Sequence, residues 1–152
     1  TMTVISEILS TRYLESIREK EGGSYGVGVG GYMEKRPVEQ AVLLMQFDTD
    51  PEKQEKLIGI IHKEIQEIIA NGPREEDLTK TKEILLKSFK EQLEENSAWS
   101  KTYLPHYYIN NLNYIRDFQK IIENITAESI VATLKAIVEQ GNVVEVVMMP
   151  AK

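Results

Sequence analysis

With 152 residues, 24 acidic and 18 basic, the chain carries a net charge of −6 and a pI near 5.1, which excludes the basic face that nucleic-acid binding demands. No apolar run approaches the roughly 20 residues of a membrane-crossing helix, and the absence of cysteine excludes disulfides and thiol catalysis while fitting a reducing or an oxidising compartment. The remaining composition, 41% hydrophobic and 28% charged, is that of an ordinary globular domain.

The first element is an amphipathic helix over about Thr3–Glu21, with Ile5, Ile8, Leu9, Tyr13, Leu14 and Ile17 on one stripe. Gly22 and Gly23 suit the left-handed closure of its C-terminus. From Ser24 to about Glu34 the period changes to two, predicting a strand with Tyr25, Val27 and Val29 on one face and glycines on the other. A turn at Lys35-Arg36-Pro37 returns the chain into a second strand, Val38 to about Asp48. Its apolar run Ala41–Met45 predicts burial on both faces or nearly so, and the two strands form an antiparallel hairpin.

Thr49 and Glu52 have capping-box spacing, and Pro51 sits early in the next helix, which buries Leu57, Ile60, Ile61, Ile65, Ile68 and Ile69. Asn71-Gly72-Pro73 ends it. From Pro73 to about Val138 the pattern is helical, with breaks near Asn96-Ser97 and Leu104-Pro105 and with Leu78, Ile84, Leu85, Phe89 and Leu93 as core candidates. Tyr103, Tyr107 and Tyr108 form an aromatic cluster read as core, and Thr126 is placed to cap a final helix burying Ile130, Leu134 and Ile137 or Val138. Gly141-Asn142 then leads into a C-terminal strand, Val143–Met149, closed by Pro150. The chain reads as a single α+β domain over residues 1–152, an antiparallel sheet with its helices on one face. Thr1 begins almost inside a helix with no strand before it, which predicts a piece of a longer protein lacking its first strand or strands.

Gly26–Gly31 matches G-x-G-x-x-G, but a dinucleotide fingerprint needs a strand before the loop and a helix after it; here a helix precedes and strand follows. Glycines at alternate positions instead let another backbone, such as an extended peptide, lie against this strand. The two histidines, His62 and His106, have no second histidine at zinc-protease spacing, so no metal site is expected in this chain. Asn124-Ile125-Thr126 is better explained by the helix cap than as a glycosylation sequon, and the acidic clusters by helix starts and solvated faces.

Arg18, in the last helical turn, and Tyr25, at the strand mouth, are both good donors to a peptide carbonyl. An Ile-Arg pair followed after six residues by Tyr, at a helix-to-strand switch and with this order of elements, resembles the non-catalytic half of pitrilysin- and insulysin-type metallopeptidases (inverted zincins, mitochondrial-processing-peptidase-like). The resemblance implies a C-terminal, substrate-binding and non-metal-binding domain of a larger zinc endopeptidase, one that helps enclose and position a peptide for hydrolysis. Arg18 and Tyr25 would contact the substrate carbonyl and transition state, with Gly26 and Gly28 beside the peptide. Zinc would sit in a partner catalytic half carrying H-x-x-E-H, on the same polypeptide or a separate subunit, and this chain alone would be inactive. A bacterial periplasm or cytoplasm fits this reading. Two alternatives stay open: a non-enzymatic assembly subunit of the same fold, and an unrelated peptide-binding α+β module.

Overall fold

The computed structural model describes residues 1–111 and 113–149. They gather into two compact units, Thr1–Arg74 with the chain from Ala127 onward, and Glu75–Thr126.

In the first unit the opening helix runs in two registers, α-helical over Met2–Tyr13 (α1) and π-helical over Leu14–Glu19. Hydroxyls compete with the backbone ladder at the switch: Thr11 Oγ1 donates to the Glu7 carbonyl at 3.1 Å and Ser16 Oγ to the Arg12 carbonyl at 2.8 Å. Burial is broader than the expected stripe. Met2 and Val4 are buried with Ile5, Ile8, Leu9, Tyr13 and Ile17, whereas Leu14 is 38% exposed. The reason is that α1 packs against a hairpin and against a second helix at once.

The hairpin pairs β1 (Gly28–Glu34) with β2 (Gln40–Gln46), antiparallel, in register from Gly28 opposite Gln46 to Glu34 opposite Gln40. Both strands are shorter than the periodicity predicts. Ser24 Oγ donates to the Gly26 carbonyl at 2.8 Å and accepts from the Gly26 N–H at 3.3 Å, so a local turn replaces the ladder before Gly28. The double burial expected of Ala41–Met45 also fails, since Leu44 is 59% exposed. A Cβ on Gly31 would lie 2.7 Å from Ser6 Oγ, so α1 covers the Gly31–Leu43 face. Pleating turns Leu44 to the other face, where it stays exposed.

Thr49 does not cap the following helix. Its hydroxyl donates instead to the Gly23 carbonyl at 2.5 Å, and Asp50 precedes the 3₁₀ turn Pro51–Lys53. Helix α2 (Gln54–Asn71) then buries Leu57, Ile61, Ile65 and Ile68 and stops at Gly72, whose φ of +78° suits a residue without Cβ. The last helix, Ala127–Glu139, starts directly after Thr126 and packs Ile130 and Leu134 beside α2. The predicted C-terminal strand is absent: residues 143–149 pair with neither strand of the hairpin, and Val144, Val146 and Met148 are largely exposed. A β-prone sequence becomes a strand only where a neighbour takes up its backbone donors. Pro150 lies outside the described residues.

The second unit holds α3 (Glu75–Gln92), the short α4 (Asn96–Ala98), a π-helical turn Trp99–Tyr103, α5 (Leu104–Asn110) and α6 (Tyr114–Glu123). The chain stays helical through Leu104-Pro105, because proline in the first turn forfeits no hydrogen bond. The real break comes at Asn111, left-handed at φ +52°, after which the Asn113 side chain caps α6 by accepting from the Arg116 N–H at 3.0 Å. Of the core candidates on α3, Ile84 is exposed, while Phe89 stacks on Phe118 with ring centroids 4.1 Å apart. Buried Tyr103, Phe118, Ile122 and Ile125 centre this unit, and Lys82 Nζ donates to the Glu123 carbonyl at 3.0 Å.

Candidate substrate-positioning site

The segment between α1 and β1 is closed by a paired helix C-cap. Gly22, at φ +54°, donates to the Arg18 carbonyl at 3.1 Å, and the Gly23 N–H reaches the Ile17 carbonyl at 3.1 Å. The corner is then pinned from α2 and its approach: Thr49 holds the Gly23 carbonyl, Lys53 Nζ lies 3.4 Å from the Gly22 carbonyl, and Lys56 pairs with Glu21. A Cβ on Gly23 would lie 2.8 Å from Leu57 Cδ1, so the backbone sits directly on a buried leucine.

From this anchored corner the candidate side chains project outward. Arg18 is exposed at the end of the π-helical turn, and among the described residues it meets no carboxylate. Two other arginines of this unit are spent on structure. Arg12 Nε binds Glu64 Oε2 at 2.7 Å, and Arg74 Nη2 binds Glu15 Oε2 at 2.9 Å. Tyr25 is fully exposed, held between Ser24 and Gly26 by their mutual hydrogen bonds. Arg18 and Tyr25 make no hydrogen bond to each other. Gly26 has open space where a Cβ would stand, while Gly28 already lies in the ladder opposite Gln46, where a Cβ would stand 3.6 Å from the Gln46 carbonyl oxygen. Among the described residues no strand pairs with the far side of β1.

Tyr13 donates to the Ile61 carbonyl at 3.2 Å, and burial, with the Glu64 carboxylate as a second cause, raises its phenol well above the ordinary tyrosine range. His62 Nε2 stands 2.8 Å from Glu145 Oε1, and His106 stacks on Tyr114 at 4.9 Å. Among the described residues no three His, Asp or Glu side chains converge as metal ligands. The part Thr49 and Leu57 play at the corner is not legible in the sequence, because a threonine at capping-box spacing from Glu52 and a leucine on an apolar helix face each have a sufficient local explanation.

The model of the peptidase M16 inactive domain matches residues 1–85, a stretch that includes both Arg18 and Tyr25. The chain belongs to the M16 inactive-domain family. That is the metallopeptidase family the Arg18–Tyr25 segment resembles, and the matched domain is the inactive one. No curated protein matches the sequence. Among solved structures, the chain is similar to the peptidase M16 inactive domain from Pseudomonas fluorescens, at 22% identity and a TM-score of 0.72 over 89% of this chain and 33% of that one. A protease from Helicobacter pylori matches at 15% identity and a TM-score of 0.70, over 90% of this chain and 34% of that one. The periplasmic protease PqqL from Escherichia coli matches at 17% identity and a TM-score of 0.68, over 87% of this chain and 15% of that one. At these identities the likeness is one of fold, α+β with an antiparallel sheet. The M16 inactive domain thus spans only 15–34% of the chains it resembles.

Proposed function

We propose that this M16 inactive domain is the substrate-positioning part of a zinc endopeptidase, working with a catalytic half that carries H-x-x-E-H and the zinc, on the same polypeptide or a separate subunit. The observation that carries the reading is the contrast between Arg12 and Arg18: one is committed to an ion pair, while the other, like Tyr25, is exposed and among the described residues meets no carboxylate. A guanidinium and a phenol held in this way are donors for a peptide carbonyl and for the charge that develops on it during hydrolysis. Gly26 and Gly28 keep side chains away from that path, and the far side of β1 supplies backbone groups for an extended peptide. The residues 1–152 act here as one domain of the larger peptidase.

The test is peptide hydrolysis by this chain combined with its catalytic half. Losing one such donor typically costs about 10²–10³ in turnover. Arg18→Ala and Tyr25→Phe should therefore lower kcat by factors in that range, while this chain alone cleaves nothing. Unchanged kcat in both variants would remove the positioning role. The exposed apolar residues at 143–149 favour the assembly reading of the same fold. It predicts instead that the assembled protein cleaves no peptide and that both variants leave association untouched.

A further inference from the structure

Tyr25 stands among glycines, in the run Gly22-Gly23-Ser24-Tyr25-Gly26, and a glycine backbone is free to wander unless something outside it holds it. The helix C-cap engages the N–H groups of Gly22 and Gly23, and the ladder with β2 begins at Gly28. Between them Ser24 and Gly26 bond to each other, which shapes the turn without attaching it to the rest of the unit. The attachment comes from Thr49, in the linker between β2 and α2, whose hydroxyl donates to the Gly23 carbonyl at 2.5 Å. That bond is partly buried and joins residues 26 positions apart. Its donor is a β-branched side chain, stiff at χ1. Lys53 Nζ, at 3.4 Å from the Gly22 carbonyl, is by contrast a longer contact from an exposed, flexible stem.

A peptide unit is planar, so fixing the Gly23 carbonyl also fixes the Ser24 nitrogen, and only the two soft torsions of Ser24 then separate this anchor from the Tyr25 Cα. We propose that Thr49 is a positioning residue for Tyr25: its hydroxyl, acting through the Gly23 carbonyl, holds the phenol where it meets a substrate carbonyl. This inference rests on the substrate-positioning reading of Arg18 and Tyr25. Arg18 lies on the helical turn before the cap, so its own placement does not run through the Gly23 carbonyl.

The test is a cycle of variants in peptide hydrolysis by this chain combined with its catalytic half. Thr49→Val keeps the shape of the side chain and removes the donor. It should lower kcat about 3- to 10-fold, the worth of one hydrogen bond, and leave KM unchanged, because the donor it places acts in the transition state. Thr49→Ser, which keeps the hydroxyl, should restore most of the rate. In a Tyr25→Phe background Thr49→Val should cost nothing more, whereas in an Arg18→Ala background it should keep its full factor. In the full chain, ¹⁵N relaxation of the Tyr25 and Gly26 amides should report greater mobility in Thr49→Val and not in Thr49→Ser. Unchanged relaxation in Thr49→Val overturns the assignment. So do equal losses in both backgrounds, the mark of a general loosening of the fold, and so does an unchanged kcat in Thr49→Val where Tyr25→Phe lowers it. If Tyr25→Phe itself leaves kcat unchanged, the reading of the site falls and this assignment falls with it.

Discussion

Replacing Gly23 by alanine tests whether the corner carrying Tyr25 is held by close backbone packing. The new methyl carbon would stand 2.8 Å from Leu57 Cδ1, 2.9 Å from Cδ2 and 3.3 Å from Cγ. Leu57 is buried on the packed face of α2, so it cannot swing into solvent. Inserting a methyl group into a filled core costs about 1–3 kcal/mol. For a chain of this length that corresponds to a fall of roughly 3–10 °C in Tm. Gly26→Ala is the internal control: nothing lies within 4 Å of its Cβ position, so it should be neutral or slightly stabilising. Thermal melts followed by circular dichroism measure both. Leu57→Ala alone should cost about 2–5 kcal/mol through the cavity it leaves. Adding Gly23→Ala should refill part of that space, giving a favourable coupling of about 1 kcal/mol or more. If Gly23→Ala melts like Gly26→Ala, or if the double variant is simply additive, the backbone does not rest on Leu57 and the corner is not anchored in this way.

Three further outcomes follow from the first unit. Tyr13→Phe should lose about 1 kcal/mol at neutral pH, by leaving the Ile61 carbonyl without its donor. The folded Tyr13 holds its proton beyond the ordinary phenol range, so the wild-type stability is whole below about pH 10 and falls by up to about 1.4 kcal/mol per pH unit above it. Urea melts between pH 9 and 11 should show a shallower alkaline decline in Tyr13→Phe, and equal declines would contradict the assignment. Glu64→Leu should cost about 1–3 kcal/mol, because it strands an Arg12 side chain only 15% exposed, and adding Arg12→Met should restore most of the loss. Gly31→Ala should destabilise by about 1–2 kcal/mol, since its Cβ would press on Ser6 Oγ at 2.7 Å and Met2 Cε at 2.9 Å; adding Ser6→Ala should relieve part of this, as read by thermal melts.

Much of this architecture is legible from local pattern, because caps, periods and turns are written in neighbouring residues. Gly22-Gly23 announces a helix C-cap, Asn71-Gly72-Pro73 a helix stop, and the change from a period near four to a period of two a helix leading into a hairpin. The positions of Arg18 and Tyr25 around that switch come from the same local grammar, and so does the family likeness they carry. What local pattern cannot supply is the neighbour across space. Ala41–Met45 is apolar enough for a strand buried on both faces, yet α1 covers only one, and Val143–Met149 has every intrinsic mark of a strand but among the described residues pairs with no other strand. Thr49 has the side chain of a cap and is drawn instead to the Gly23 carbonyl, because tertiary packing brings that carbonyl within 2.5 Å. The sequence by itself determined the order of elements and the residues at the corner, since both depend on spacing along the chain. Only the tertiary structure decided which arginine is drawn into an ion pair and which lies exposed, because that depends on contacts between residues far apart in sequence.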